Sequence, residues 1–275
     1  MVKLSTPVAS PKLPFGISLK DKVVVLGSCL SDELGEKFAD AGFDVMTNPF
    51  GTLYNPLSIE NAIKRLDSAQ PYTKEDCVQM GAGAGLVCSW EHYTKFARPS
   101  ADEFLAGANA ALARAAEKWR SASTVVVCLY TAYVWEHDGR VVANCLKRPA
   151  GEFTRRMLSV DEVRAAVDRI EKGHPDKRFL WMVCPIRQTA DLRENTLSKA
   201  TLHLGLADAT YFPAYEIVHD ELRDYRFYAD DLAHPSAGAV QILWERLIEA
   251  VDPGERDAIT ANERQSKTLK HRPIR

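Results

Sequence analysis

Ser28 follows an apolar run, Val23-Val24-Val25-Leu26, closed by Gly27. It precedes a stretch with Leu34, Phe38 and Ala41 at helical spacing. A serine at that junction stands at the carboxyl end of a buried strand and at the entry of a helix. Helix N-termini carry unpaired backbone N–H groups and a partial positive charge, which can stabilise an oxyanion formed when a hydroxyl attacks a carbonyl. The same place also suits an ordinary N-cap. Cys29 is a second candidate nucleophile, because a thiol at a helix N-terminus tends to have a lowered pKa. The two side chains cannot both point into one site. Near the other end, Asp230-Asp231-Leu232-Ala233-His234-Pro235-Ser236 holds a D-x-x-H spacing. One turn can set Asp231 beside His234, so that the carboxylate orients the imidazole and stabilises its charged form. The segment reads equally as a helix start, with Asp and Ser as caps and Pro in the first turn. As chemistry, the chain order is Ser, Asp, His.

Other groups are weaker signals. Trp90, His92 and Tyr93 form an aromatic cluster that is a candidate lining for a sugar or acyl chain, although such clusters more often belong to a core. Arg187 and Lys199 are candidate cations for an anionic substrate group, although loop cations are more often solvated or ion-paired. The six cysteines are scattered with no CxxC pair and read as buried thiols. The seven histidines show no H-x-x-x-H or H-E-x-x-H, and no G-x-G-x-x-G or P-loop follows a strand. Neither a metal nor another cofactor is therefore expected.

The elements that must position these residues alternate between strand and helix. Apolar runs predict strands at Lys22–Gly27, Phe43–Met46, Thr124–Leu129, Arg178–Ile186 and Thr210–Val218. Between them, periodicity predicts helices after Ser28 and over Ser58–Leu66, Ala101–Arg120, Ser159–Lys172, Thr196–Leu206 and Pro235–Val251. Asp138-Gly139 between two short apolar runs predicts a hairpin within 133–145. Strands alternating with helices imply an α/β fold with a parallel sheet, whose ligands bind at the carboxyl ends of the strands. With 275 residues, 46% hydrophobic and 26% charged, the chain can bury one sizeable core. The division expected is an N-terminal arm over 1–20, a domain over 21–251 with an irregular insertion at about 70–100, and a polar tail without a core face over 252–275. Thirty-five basic against thirty-seven acidic residues leave a charge of −2, so no nucleic-acid partner is expected. Neither an apolar leader nor eighteen consecutive apolar residues is seen, so no membrane association is expected and the cytoplasm is the expected compartment.

Several blocks resemble the GSCFA family. They are Val24-Val25-Leu26-Gly27-Ser28-Cys29, Asn48-Pro49-Phe50-Gly51-Thr52-Leu53-Tyr54-Asn55-Pro56, and Asn195-Thr196-Leu197-Ser198-Lys199-Ala200-Thr201-Leu202. The long segment from Tyr211 through Tyr228 to His234-Pro235-Ser236 is similar too. The resemblance implies an SGNH/GDSL-type hydrolase: a three-layer α/β/α sandwich with a mostly parallel five-stranded sheet in flavodoxin-like order. It implies Ser28 as nucleophile with His234 and Asp231, and an oxyanion hole from the Ser28 N–H, Gly51 and an asparagine, for which Asn144 is the candidate. Leu146, Cys184 and Gln188 depart from the family pattern, which has histidine, serine and histidine there.

The function implied is a serine esterase or deacylase acting on a small acyl ester. By analogy only, an O-acetyl group on a saccharide is the candidate substrate. An acyltransferase using the same site is one alternative, and a non-catalytic carbohydrate-binding module is another.

Overall fold

The computed structural model describes residues 5–9, 12–251 and 253–270. Its central sheet contains four parallel strands: β1 (Lys22–Gly27), β2 (Asp44–Thr47), and two more that follow later in the chain. Between β1 and β2 runs α1 (Cys29–Asp40), and after β2 comes α2 (Pro56–Ser68). The insertion holds a two-stranded antiparallel pair, β3 (Val78–Gln79) and β4 (Val87–Cys88), leading into α3 (Ala101–Ser121). The third central strand is β5 (Thr124–Leu129). An antiparallel three-stranded sheet of β6 (Tyr133–His137), β7 (Arg140–Val142) and β8 (Thr154–Met157) follows. Then come α4 (Val160–Gly173), the fourth central strand β9 (Arg178–Val183), α5 (Leu192–Gly205), and a short α6 (Ala214–Glu216) that continues into a π-helical turn at Ile217–Leu222. The chain closes with α7 (Ala237–Ile248) and α8 (Arg256–Lys270).

Strands that are apolar on both faces need cover on both sides, and the alternation of side chains supplies it. Val24, Leu26, Val125, Val127, Trp181 and Val183 point into a core shared with α2, α3 and α4. Val23, Val25, Val126, Leu180 and Met182 point into a second core under α1, α7 and α8. The strand order is β2-β1-β5-β9. The chain therefore goes to one side of β1 for β2 and to the other for β5, which opens a crevice at the carboxyl end of β1. Gly27 ends that strand at φ +134°, and a Cβ there would lie 2.2 Å from the Cys128 carbonyl oxygen, so only glycine lets β1 turn so close to β5. The hairpin forms as expected, with Asp138 (φ 50°) and Gly139 (φ 73°) at its turn.

Two expectations need correction. The sheet has four strands rather than five. Beyond β9 the chain makes a single bridge, with the Trp181 N–H donating to Thr210 O and the Phe212 N–H to Trp181 O. Pro213 has no N–H with which to continue a ladder, so the rest of Thr210–Val218 turns helical. The polar tail expected over 252–275 contains α8, although Asp252 and 271–275 lie outside the described residues. Only Ile259 of α8 is buried, and polar contacts fix the rest. Asn262 donates to Ala41 O, Glu263 accepts from the Trp244 indole, and Ser266 and Lys270 both bond Asp40. The arm is likewise anchored where it is described, with Ile17 buried and its N–H donating to Ala250 O; residues 1–4, 10 and 11 lie outside the described set. Among the described residues no helix is long and apolar enough to cross a membrane.

Candidate active site

Ser28 is the N-cap of α1 in extended conformation, at the crevice where the strand order reverses. Its side chain is fully buried and its Oγ has no hydrogen-bond partner among the described residues. The hydroxyl faces the buried thiol of Cys184, just past the end of β9. Cys29, the next residue, is half-buried at the first position of α1. The expected lowering of its pKa does not occur. Burial outweighs the N-terminal N–H groups and pushes the thiol up to about 11, so it is protonated at neutral pH.

Asp231 and His234 do come together. Asp231 Oδ2 lies 2.6 Å from His234 Nδ1. Its Oδ1 accepts the N–H groups of Ala233 (2.9 Å) and His234 (3.0 Å). These backbone donors, joined by the imidazole, hold the carboxyl down at about 2, so it is ionised at any physiological pH. The carboxylate thus fixes both the ring and its own loop. About half of each side chain is exposed, and nothing among the described residues bonds His234 Nε2. The loop is clipped to the carboxyl end of the sheet by Arg187, whose N–H donates to Ala233 O and whose guanidinium donates to Leu232 O. No hydrogen bond joins His234 to Ser28.

The other family-like blocks build the loops around this crevice. Asn48 Oδ1 accepts the Gly27 N–H while its Nδ2 donates to Asp32, so one amide sets the end of β1 against the first turn of α1. The Leu53 N–H donates to Gly27 O, and Tyr54 O accepts from Tyr130 and Thr131 beyond β5. Asn55 caps α2. On α5, Asn195, Ser198 and Lys199 are buried polar residues at i, i+3 and i+4, on one helical face. Asn195 Oδ1 accepts from the Gln188 N–H, and Ser198 Oγ accepts from the Ala132 N–H. Lys199 Nζ donates to Tyr130 O (2.5 Å) and Cys184 O (2.7 Å), tying the ends of β5 and β9 together. Burial pulls its pKa down to about 8. That stripe is the sequence signal for these positioning residues, and it stands out once buried polar groups are required to find partners.

The expected oxyanion donors do not converge in this conformation. The Ser28 N–H donates to Cys128 O (3.2 Å) and the Gly51 N–H to Asn48 O (2.8 Å). Asn144 uses Oδ1 to accept the Leu146 N–H. Among the candidate substrate-binding residues, His92 is a core residue. It is packed among Phe50, Tyr72, Phe96 and Phe104, with Nδ1 2.7 Å from Ser89 Oγ, and burial lowers its pKa to about 3. Tyr93 packs its Cβ over Gly51. Trp90 packs on His137 and Phe153 at the rim of a charged cavity of about 970 Å³ beside α2. Lys199 is buried and committed to carbonyls, and Arg187 lies over the rings of Tyr225 and Tyr228. The sequence reading missed a different cavity, of about 620 Å³, which opens beside the carboxyl ends of β5 and β9 and is lined by Tyr54, Tyr130, Tyr133 and Trp135.

A parallel α/β sheet with two candidate nucleophiles at the end of β1, and an aspartate–histidine pair on a loop that Arg187 holds near the end of β9, defines the general class. The chain belongs to the GSCFA family, whose profile matches residues 22–247. That span runs from β1 through all but the last residue of α7, includes every candidate site residue, and leaves α8 outside. No curated protein matches the chain.

Proposed function

We propose that this protein is an SGNH/GDSL-type acyl-ester hydrolase. The observation that carries the reading is the Asp231–His234 pair: a short carboxylate–imidazole hydrogen bond, a carboxylate fixed by two backbone N–H groups, and an open Nε2 on a loop clipped to the strand ends. This is the arrangement a general base needs, with tautomer and orientation set from behind and the working nitrogen free.

In the reaction His234 Nε2 takes the Ser28 hydroxyl proton as Oγ bonds to the ester carbonyl carbon. The tetrahedral intermediate collapses by breaking the bond to the alcohol oxygen, which leaves with the proton from His234. Water, deprotonated in turn by His234, attacks the acyl-serine; the bond to Ser28 Oγ breaks, His234 returns the proton to that oxygen, and the acid leaves. Because the Ser28 hydroxyl is sealed and its N–H is engaged, attack requires the turn between β1 and α1 to open toward His234. An acyltransferase differs only in accepting an alcohol in place of water, and product analysis with mixed acceptors separates the two.

A second reading is favoured by exposure: Cys29 is the more accessible nucleophile of the two and would form a thioester by the same steps. The protonated thiol then needs His234 as its base. Turnover of p-nitrophenyl acetate and labelling by a fluorophosphonate test both. Loss of activity in Ser28→Ala and His234→Ala, with activity kept in Cys29→Ala, supports the serine. Loss in Cys29→Ala with activity kept in Ser28→Ala supports the cysteine. Full activity in His234→Ala refutes both.

A further inference from the structure

We propose that the cavity beside the ends of β5 and β9 binds a neutral, polyhydroxylated ligand, a saccharide, as the alcohol half of the ester; the link to catalysis rests on the hydrolase reading above. Three observations converge. The first is the state of the tryptophans. Trp119, Trp181 and Trp244 are buried and each donates its indole N–H to a carboxylate, from Asp67, Glu171 and Glu263. Trp135 is 39% exposed and lies on the cavity wall, and its indole N–H has no hydrogen-bond partner among the described residues. An indole with a wet face and a free N–H offers a platform to the C–H face of a pyranose and a donor to its hydroxyls.

The second is the supply of uncommitted hydroxyls. Neither the Tyr130 nor the Tyr133 hydroxyl has a hydrogen-bond partner among the described residues, and both line the cavity. Burial pushes the Tyr130 phenol up to about 12, so it remains a neutral donor and acceptor. A group that can both give and accept suits sugar hydroxyls, which do the same.

The third is charge. Arg155 is the cation of this wall. It stacks on the Tyr133 ring at 3.7 Å and forms two hydrogen bonds to Glu194, at 2.9 and 2.6 Å. With both terminal nitrogens bonded to Glu194 its charge is already paired, which weakens its pull on a ligand carboxylate or phosphate. Asp191, the N-cap of α5, lies on the same wall, so two carboxylates there face one guanidinium. Arg187 and Lys199, the cations the sequence offers for an anionic substrate, are directed at backbone carbonyls. The wall is therefore aromatic, hydroxylated and net acidic, which disfavours anions. Backbone bonds also join it to the turn that holds the candidate nucleophiles: the Leu53 N–H donates to Gly27 O, and Tyr54 O accepts from the N–H groups of Tyr130 and Thr131.

The test is calorimetric titration of the full chain carrying His234→Ala, so that no turnover intervenes. The probes are cellotetraose, xylotetraose and tetra-N-acetylchitotetraose, with tetragalacturonate as the anionic control, each to about 10 mM, which covers the weak affinities expected of a single open subsite. Saturable binding of at least one neutral probe is expected, with tetragalacturonate binding more weakly. Trp135→Ala should weaken that binding about tenfold, the size of one aromatic platform. Tyr133→Phe, which removes only a hydroxyl, should weaken it by a smaller factor at unchanged melting temperature. Absence of binding by all three neutral probes, tighter binding of tetragalacturonate, or unaltered affinity in both variants overturns the proposal. Failure of the hydrolase reading shows separately, as an inactive chain in the ester assay, and leaves the binding result intact.

Discussion

Lys199→Met is the perturbation with the most direct arithmetic. Lys199 is a fully buried amine whose two recorded hydrogen bonds go to Tyr130 O and Cys184 O. Burial lowers its pKa from 10.5 to about 8. At about 1.4 kcal/mol per pH unit, that interval corresponds to roughly 3 kcal/mol by which the fold disfavours the charged form. Below pH 8 the amine is charged in both folded and unfolded chains and the whole cost applies. Between pH 8 and 10.5 the unfolded chain binds more protons than the folded one, so stability rises with pH. Above 10.5 both states are neutral and the cost is gone. Methionine carries no such cost, but it leaves two buried carbonyls without a donor, at about 1–3 kcal/mol each. The variant is thus about level with the wild type or a few kcal/mol weaker at pH 7, and its deficit grows by roughly 3 kcal/mol by pH 10.5. Cys184, His203 and His219 also lie near Lys199; its positive charge lowers the pKa of each, so the variant raises all three. Urea unfolding of both proteins at pH 7, 8, 9 and 10 measures the difference. A deficit that stays constant across those values refutes the assignment of Lys199 as a buried, weakened base.

Other outcomes follow from the same geometry. His92, with its pKa at about 3 against 6.5 when unfolded, stays neutral in the fold while the unfolded chain takes up a proton, so it makes stability fall as pH drops below 6.5. His92→Phe removes that term, and acid unfolding curves should show it recovering about 3 kcal/mol of relative stability by pH 4.5. Gly27→Ala should yield little folded protein by circular dichroism, because its Cβ would collide with the Cys128 carbonyl at a φ that alanine rarely adopts. Asp231→Asn should cut ester turnover by orders of magnitude, about 10⁴-fold in the limit known for triads, because the amide presents the wrong partner to Nδ1; retention of wild-type kcat would remove Asp231 from the mechanism.

How much of this was legible in the sequence depends on the kind of interaction involved. β1, β5 and the start of β9 were read directly, because a strand covered on both faces is apolar at every position. The Asp231–His234 contact was legible because three residues of one turn fix it locally. Sheet width was not, since Thr210–Val218 has the composition of a strand and a single proline decides where pairing stops. Nor was α8 legible: Asn262, Glu263, Ser266 and Lys270 look like a solvated face until their partners on α1 and α7 are seen. The cavity was misplaced for a related reason. Trp90, His92 and Tyr93 are close in sequence and were grouped by that alone, whereas Tyr54, Tyr130, Tyr133 and Trp135 come from three separate loops and strands that only the folded sheet brings together.

The clasp of α8 on α1 has a consequence for the order in which the molecule can be completed. The helix that carries the candidate nucleophiles is among the first elements made, yet the side of it holding Asp40 and Ala41 is closed by the last described helix, across more than two hundred residues of chain. During vectorial synthesis that surface stays wet until α8 has been made. The clasp at the C-terminal end of α1 can therefore close only after the whole central sheet has been made.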